Sequence, residues 1–129
     1  MFCDIDDMFY RSYGLKHLLI AAEQTEANII GSPFLAENKT DTTFTYTEVV
    51  EDMLHVHGKI FKRQFLIDND IRFPDEMEFS GDMMFLWLAY ALSKNTKWIN
   101  SNFYIWKWNK NSVTRKNKFH NIQTYDKVV

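Results

Sequence analysis

Three carboxylates crowd into four positions near the start of the chain, in Phe2-Cys3-Asp4-Ile5-Asp6-Asp7-Met8-Phe9, with apolar residues on both sides. Carboxylates so close repel one another. A fold tolerates them at a strand end when something positive, most simply a divalent cation, lies among them. The other solution is a solvated acidic turn capping the helix that follows, since aspartate is a good N-cap residue. Both readings stand on these residues alone, and the rest of the chain must decide between them.

The segment after the cluster has helical periodicity. Leu15, Leu18, Leu19 and Ala22 fall on one stripe, which predicts a packing helix over Tyr13 to Glu26. Asn28-Ile29-Ile30-Gly31 is a short apolar burst closed by glycine and then Ser-Pro, the pattern of a strand entering a loop. Strand end, helix and strand in that order make an α/β unit. Residues 33 to 47, with Pro33, Asn38 and a run of threonines, read as an excursion or a β-rich insertion. Glu48 to Leu54 is expected to form a short helix leading to His55-Val56-His57-Gly58-Lys59. Histidines two apart share one face of a strand. Without a third histidine or a cysteine nearby, this pair is better suited to lining a pocket or to local hydrogen bonds than to a zinc site.

Farther on, Ile60 to Leu66 runs into a helical turn that Asp68-Asn69-Asp70 breaks, and Ile71-Arg72-Phe73-Pro74 is extended, as a residue before proline should be. A second acidic patch, Asp75 to Asp82, precedes an apolar helix from Met83 to Leu92. The free N–H groups of a helix start stabilise a carboxylate, so capping by itself accounts for Asp82. Strands are expected at Lys97 to Ile99 and, with aromatic residues on both faces, at Phe103 to Trp108. Asn109 to Ser112 turns the chain, and a last helix is expected from His120 to Val129.

A length of 129 residues with 46% hydrophobic content suits one domain with a real core. The single cysteine, Cys3, excludes an internal disulfide and a cysteine-based zinc site, and it points to a reducing cytoplasm. No segment has the pattern of a secretion signal, and the apolar runs Leu18 to Ala22 and Met83 to Leu92 are too short to span a bilayer. A soluble protein is therefore expected, with work at the inner membrane face left open. Charge is unevenly spread: residues 1 to 54 hold ten acids against Arg11, Lys16 and Lys39, whereas residues 55 to 129 hold twelve bases against seven acids. The basic second part would attract a phosphate-bearing ligand. The acidic opening argues against nucleic acid lying across the surface.

Taken in order, these signals resemble the second half of a family 2 glycosyltransferase of the nucleotide-sugar-binding, GT-A type. Phe2-Cys3-Asp4-Ile5-Asp6-Asp7 is similar to the D-x-D-D motif at the end of a central strand. Gly58-Lys59-Ile60-Phe61-Lys62-Arg63-Gln64-Phe65-Leu66 with Ile71-Arg72-Phe73-Pro74 is similar to the G-K-L-[FY]-[KR]-R-x-x-L…I-x-F-P segment. Ser80-Gly81-Asp82-Met83-Met84-Phe85 resembles G-E-D-x-x-F, with Gly81 where glutamate is usual. Tyr104 to Arg115 resembles the Y-x-[YW]…N-S-[IV]-T-R ending. His57 stands where an aromatic residue is common before Gly-Lys. Order and spacing carry the resemblance over roughly residues 2 to 115.

The resemblance implies a single domain over 1–129 with a partial GT-A fold. This is an α/β, Rossmann-like architecture with a mixed sheet, lacking the N-terminal nucleotide-binding βαβ half. It implies transfer of a sugar, with inversion, from a nucleotide diphosphate sugar to a hydroxyl of a carbohydrate or lipid-linked acceptor, as in surface polysaccharide synthesis. Asp4 would face the ribose, and Asp6 and Asp7 would hold Mg²⁺ or Mn²⁺. Asp82 would be the general base, and Lys59 and Arg115 would offset the diphosphate charge. Because the D-x-D-D motif stands at the start, the chain is expected to be a fragment, a reduced form that pairs with a chain supplying the other half, or a non-catalytic binding module.

Overall fold

In the middle of the core runs a strand of only three residues. The computed structural model describes residues 1–75 and 81–112. Among them β1 spans Met8–Phe9, α1 Gly14–Thr25, β2 Ile29–Gly31, β3 Phe34–Lys39 and β4 Phe44–Val49. They continue with β5 Lys59–Phe61, α2 Arg63–Asp68, α3 Gly81–Leu92, β6 Thr96–Trp98 and β7 Tyr104–Trp106. The short strand β2 lies between β5, antiparallel to it, and β6, parallel to it. Alternate side chains of a strand point to opposite faces. Accordingly Ile30 joins Leu18, Ala27, Phe34, Ile60, Phe103 and Tyr104 on the α1 side. Ile29 joins Val56, Phe65, Ile71, Phe85, Leu86 and Ala89 on the side of α2 and α3. Each fully buried Ile or Leu contributes about 1.5–3 kcal/mol relative to exposure, and Leu18, Ile29 and Leu86 have no exposed surface at all.

A second sheet, ordered β1-β7-β3-β4, is also mixed: β7 is antiparallel to β1 and parallel to β3, and β3 and β4 form an antiparallel hairpin. Two closely packed glycines tie the layers together. A Cβ on Gly14 would sit 2.0 Å from the Cβ of Phe103, and one on Gly31 would sit 2.3 Å from the Trp98 ring.

The α/β class and the order of helix and strand agree with expectation, and the threonine-rich stretch is indeed β-rich. Several local expectations need correction. Glu48 to Leu54 is not a helix: β4 runs through Glu48, which pairs with Leu35, and the following residues are irregular with Glu51 at φ 49°. The β-branched threonines alternate along a partner strand already in place, which outweighs any local helical tendency. The acidic cluster does not end a strand either. It forms a turn, closed by Asp7 N–H donating to the Asp4 carbonyl at 3.1 Å, and the first strand begins only at Met8. Helix α3 begins at Gly81 and so takes Asp82 into its first turn. The strand expected over Phe103 to Trp108 is only three residues long, because the N–H groups of Lys107 and Trp108 go to the carboxylates of Asp7 and Glu37 instead of a ladder. The last helix and Arg115 lie outside the described residues.

Candidate functional site

The acidic turn is pinned at both ends. Before it, Phe2 packs edge-on against Phe73 and Phe85, with ring centroids 4.8 and 5.2 Å away. After it, Asp7 accepts hydrogen bonds from the Tyr104 hydroxyl and, at 2.8 Å, from the Lys107 N–H. Burial and the bond to Asp7 push the Tyr104 phenol far above its ordinary pKa, so this hydroxyl stays a donor. Between these anchors the turn determines which carboxylates meet. In an extended strand Asp4 and Asp6 would share a face; in a turn Asp4 and Asp7 converge, and Asp6 is carried aside, where it accepts a hydrogen bond from Asn109 Nδ2 at 2.6 Å.

Asp4, Asp7 and His57 each offer a ligand atom, and those atoms all lie within 4.8 Å of one another. His57, only 3% exposed, stacks on Tyr104 at 5.3 Å, and its Nδ1 lies 3.7 Å from Asp7 Oδ2. Burial, then the charges of His55 and Lys59, push its imidazole down to about 4, so the ring is neutral at pH 7. That separation is therefore not an ion pair, and the ring has a lone pair to give.

The carboxyls beside it have the opposite need. Burial raises the pKa of Asp4, and so does the charge of Asp6. Burial also raises that of Asp7 against the lowering effect of its hydrogen bonds from Tyr104 and Lys107, with Asp4 and Asp6 adding to the rise. Asp82 is raised by burial and then by Asp4, so the first turn of α3 is close enough to feel the acidic turn. Asp4 thus raises both Asp7 and Asp82, and a cation among these carboxyls would favour their charged forms. Two carboxylate oxygens and an imidazole suit Mn²⁺ or Mg²⁺, and the nitrogen favours the former.

Lys59 occupies a different position from the one the resemblance implies. It is fully buried, and its ammonium donates to Asp52 Oδ2 at 3.2 Å, to the His55 carbonyl at 2.6 Å and to the His57 carbonyl at 3.3 Å. An ammonium has three protons, and these acceptors use them. Lys59 thus braces the 52–58 loop from below. Asp52 also accepts from His55 Nδ1 at 3.0 Å and from the His55 N–H at 2.8 Å. Sequence reasoning assigned Asp4 to the ribose, Asp6 and Asp7 to the metal and Asp82 to the base, and gave His57, Asp52 and Tyr104 no such roles. The usable signal was His-x-His directly before Gly-Lys; the turn that turns the acidic residues toward it has no local signature.

No protein-family model matches the chain. It is 23% identical over 133 residues to the uncharacterized glycosyltransferase EpsJ of Bacillus subtilis, a match covering 88% of this chain and 38% of EpsJ. The crystal structure of S. aureus TarS 1-349 in complex with UDP-GlcNAc superposes with a TM-score of 0.75 at 17% identity, covering 98% of this chain and 39% of TarS. The same protein in complex with UDP gives 0.66 at 19% identity, covering 85% and 36%. The chain thus spans well under half the length of the proteins it matches. It is a distant relative of glycosyltransferases and shares with TarS a mixed α/β fold.

Proposed function

We propose that this chain forms the metal- and acceptor-facing part of a family 2, GT-A glycosyltransferase, which moves a sugar from a nucleotide diphosphate sugar to an acceptor hydroxyl with inversion. The convergence of Asp4, Asp7 and His57 carries this reading, and Asp82 at the start of α3 lies within the influence of the Asp4 charge. TarS holds UDP-GlcNAc in its crystal structure, which supports a nucleotide-sugar donor here. Asp4, Asp7 and His57 would hold the divalent cation, and when bound it would offset the charge that grows on the leaving diphosphate.

The remaining work falls to the chain's own residues. Asp7 is aimed by Tyr104 and the Lys107 N–H, and His57 is held neutral by burial. Asp82, at the start of α3, accepts the proton of the attacking hydroxyl; its raised pKa makes it a stronger base once ionised. Lys59 acts through the loop it braces, and Asp6 through its bond to Asn109. Arg115 remains a candidate for the diphosphate.

The experiment is sugar transfer by the native protein carrying Asp82→Asn. Loss of transfer by at least about a hundredfold with donor binding intact is expected for a general base; unchanged turnover removes the assignment. A second reading, a binding module without catalysis, is favoured by the engagement of all three Lys59 protons, which leaves that ammonium none for a diphosphate. A thermal-shift titration with Mn²⁺ and UDP-GlcNAc separates the two, because only a competent site stabilises the fold in proportion to its occupancy.

A further inference from the structure

The β3–β4 hairpin carries a strand edge that no other strand covers among the described residues. β4 is the outer strand of its sheet and is exposed on both faces from Phe44 to Glu48. Which of its backbone groups face outward follows from the hairpin turn. The Thr40 N–H donates to the Thr43 carbonyl at 2.9 Å, so positions 40 and 43 are a bonded pair. Bonded and non-bonded pairs alternate along an antiparallel ladder. With Asn38 opposite Thr45 and Ala36 opposite Thr47, residues Thr45, Thr47 and Val49 bond to β3 through their backbone. Phe44, Tyr46 and Glu48 therefore turn their N–H and C=O groups away from the sheet.

Edges of this kind are normally guarded by lysine, proline, a bulge or extreme shortness. The opposite edge of the sheet, β1, is two residues long. β4 has six residues in an unbroken register, with neither lysine nor proline among them. Its one charged side chain, Glu48, accepts a hydrogen bond from Asn102 Nδ2 at 2.8 Å. Phe44 and Tyr46 share a face as alternate residues and are each half exposed, and Val50 just past the strand is more so.

We propose that β4 is the pairing edge for a second copy of this chain, antiparallel about a two-fold axis at Tyr46, which joins the two four-stranded sheets into one. This is independent of the catalytic reading. The symmetry of the edge selects a second copy. A two-fold at Tyr46 sets Tyr46 opposite Tyr46 and Phe44 opposite Glu48, so each of the three outward residues exchanges its N–H and C=O bonds with an outward residue of the other copy. A shift by one position would oppose an outward residue to one already bonded to β3, and a larger shift leaves one of the three without a counterpart in the strand. Phe44 of each copy then lies diagonal to Tyr46 of the other, within reach of aromatic rings, and the exposed row is covered. A six-residue edge buries less than a standard interface of about 1,600 Å², so the pair dissociates on dilution.

Sedimentation equilibrium of the native protein between about 1 and about 200 μM, a range that brackets a weak specific contact, should show the mass rise from one chain to two and stop there. Tyr46→Lys opposes two like charges on the axis and should weaken association at least about fivefold, with folding checked by circular dichroism. Cysteine pairs test the register without added charge, in a Cys3→Ser background because Cys3 is exposed. Tyr46→Cys should cross-link under mild oxidation, since bonded cross-strand positions lie about 5.5 Å apart at Cα, within disulfide range. Thr42→Cys, in the hairpin turn, should not, because this register puts it on the order of 25 Å from its counterpart. If Tyr46→Lys does not fold, the cysteine pair decides alone. A single-chain mass at every concentration, which would give the edge to another segment or another partner, overturns the proposal. So does growth beyond two chains, association unchanged in folded Tyr46→Lys, or equal cross-linking at the two positions.

Discussion

Lys59 Nζ stands 3.2 Å from the Asp52 carboxylate at a point where Lys59 has no exposure to solvent. A buried charge without its partner is costly, so Asp52→Ala should destabilise the fold by about 3 kcal/mol or more, because the ammonium then keeps only carbonyl acceptors. Lys59→Met should cost less, since Asp52 retains its bonds from His55. Urea denaturation of the two variants checks the order. Burial pushes Asp52 upward, but the His55 hydrogen bonds and the Lys59 charge outweigh it and hold the carboxyl well below its ordinary range. Its contribution is therefore present above the unfolded carboxyl pKa and is lost as pH falls toward the folded one.

His57 gives stability a second dependence on pH. Unfolded, it takes a proton near the ordinary histidine value of about 6.5; folded, burial and the charges of His55 and Lys59 push it down to about 4. Between those values the unfolded chain binds a proton that the folded one does not, so stability falls as the solution is acidified across that window. The full loss is about 3 kcal/mol, at 1.36 kcal/mol per unit. His57→Gln should flatten this part of the profile, as measured by urea titrations of metal-free protein.

Titration with Mn²⁺ should raise the melting temperature, and a chelator should return it to its starting value. At a hundredfold excess over the dissociation constant the gain is about 2.7 kcal/mol. Asp7→Asn and His57→Gln should abolish the shift, whereas Asp6→Asn should keep most of it, because Asp6 is engaged with Asn109. A shift lost in Asp6→Asn but kept in His57→Gln would move the ligand set back along the acidic turn.

Two glycines should resist substitution for different reasons. In Gly31→Ala the new methyl meets the Trp98 ring at 2.3 Å, an overpacking cost of about 1–3 kcal/mol. Gly58 has φ +65°, and a Cβ there would approach the Ser32 carbonyl oxygen at 2.8 Å. Gly58→Ala should therefore combine roughly 1 kcal/mol of backbone strain with a rearranged 52–58 loop. Thermal melts give the stability of each variant, and the Mn²⁺ shift should be weakened more in Gly58→Ala, whose loop carries His57.

What the sequence made legible was what local periodicity records. The stripe of Leu15, Leu18, Leu19 and Ala22 located α1, and Ile29-Ile30-Gly31 located the central strand. The acidic turn was visible as a concentration of charge, but its geometry was not. Whether Asp4 pairs with Asp6 or with Asp7 depends on a turn fixed by Tyr104 and Lys107, far along the chain. The same holds for Lys59. Its motif suggested a ligand-facing cation, whereas three acceptors from the 52–58 loop draw it inward. Glu48 to Leu54 misled because β4 takes its structure from β3, a neighbour that no window over those residues contains.

The bonds that aim Asp7 join residues 97 and 100 positions apart, and the Asp6–Asn109 bond spans 103. Closing so long a loop has an entropic cost that nearby contacts cannot offset, so such pairings form late in folding. During synthesis the acidic residues leave the ribosome long before β7 and wait, unpaired, for it. Ligand-competent geometry is therefore a property of the finished chain, and cation binding followed in time after dilution from denaturant would report the last event of folding rather than the first.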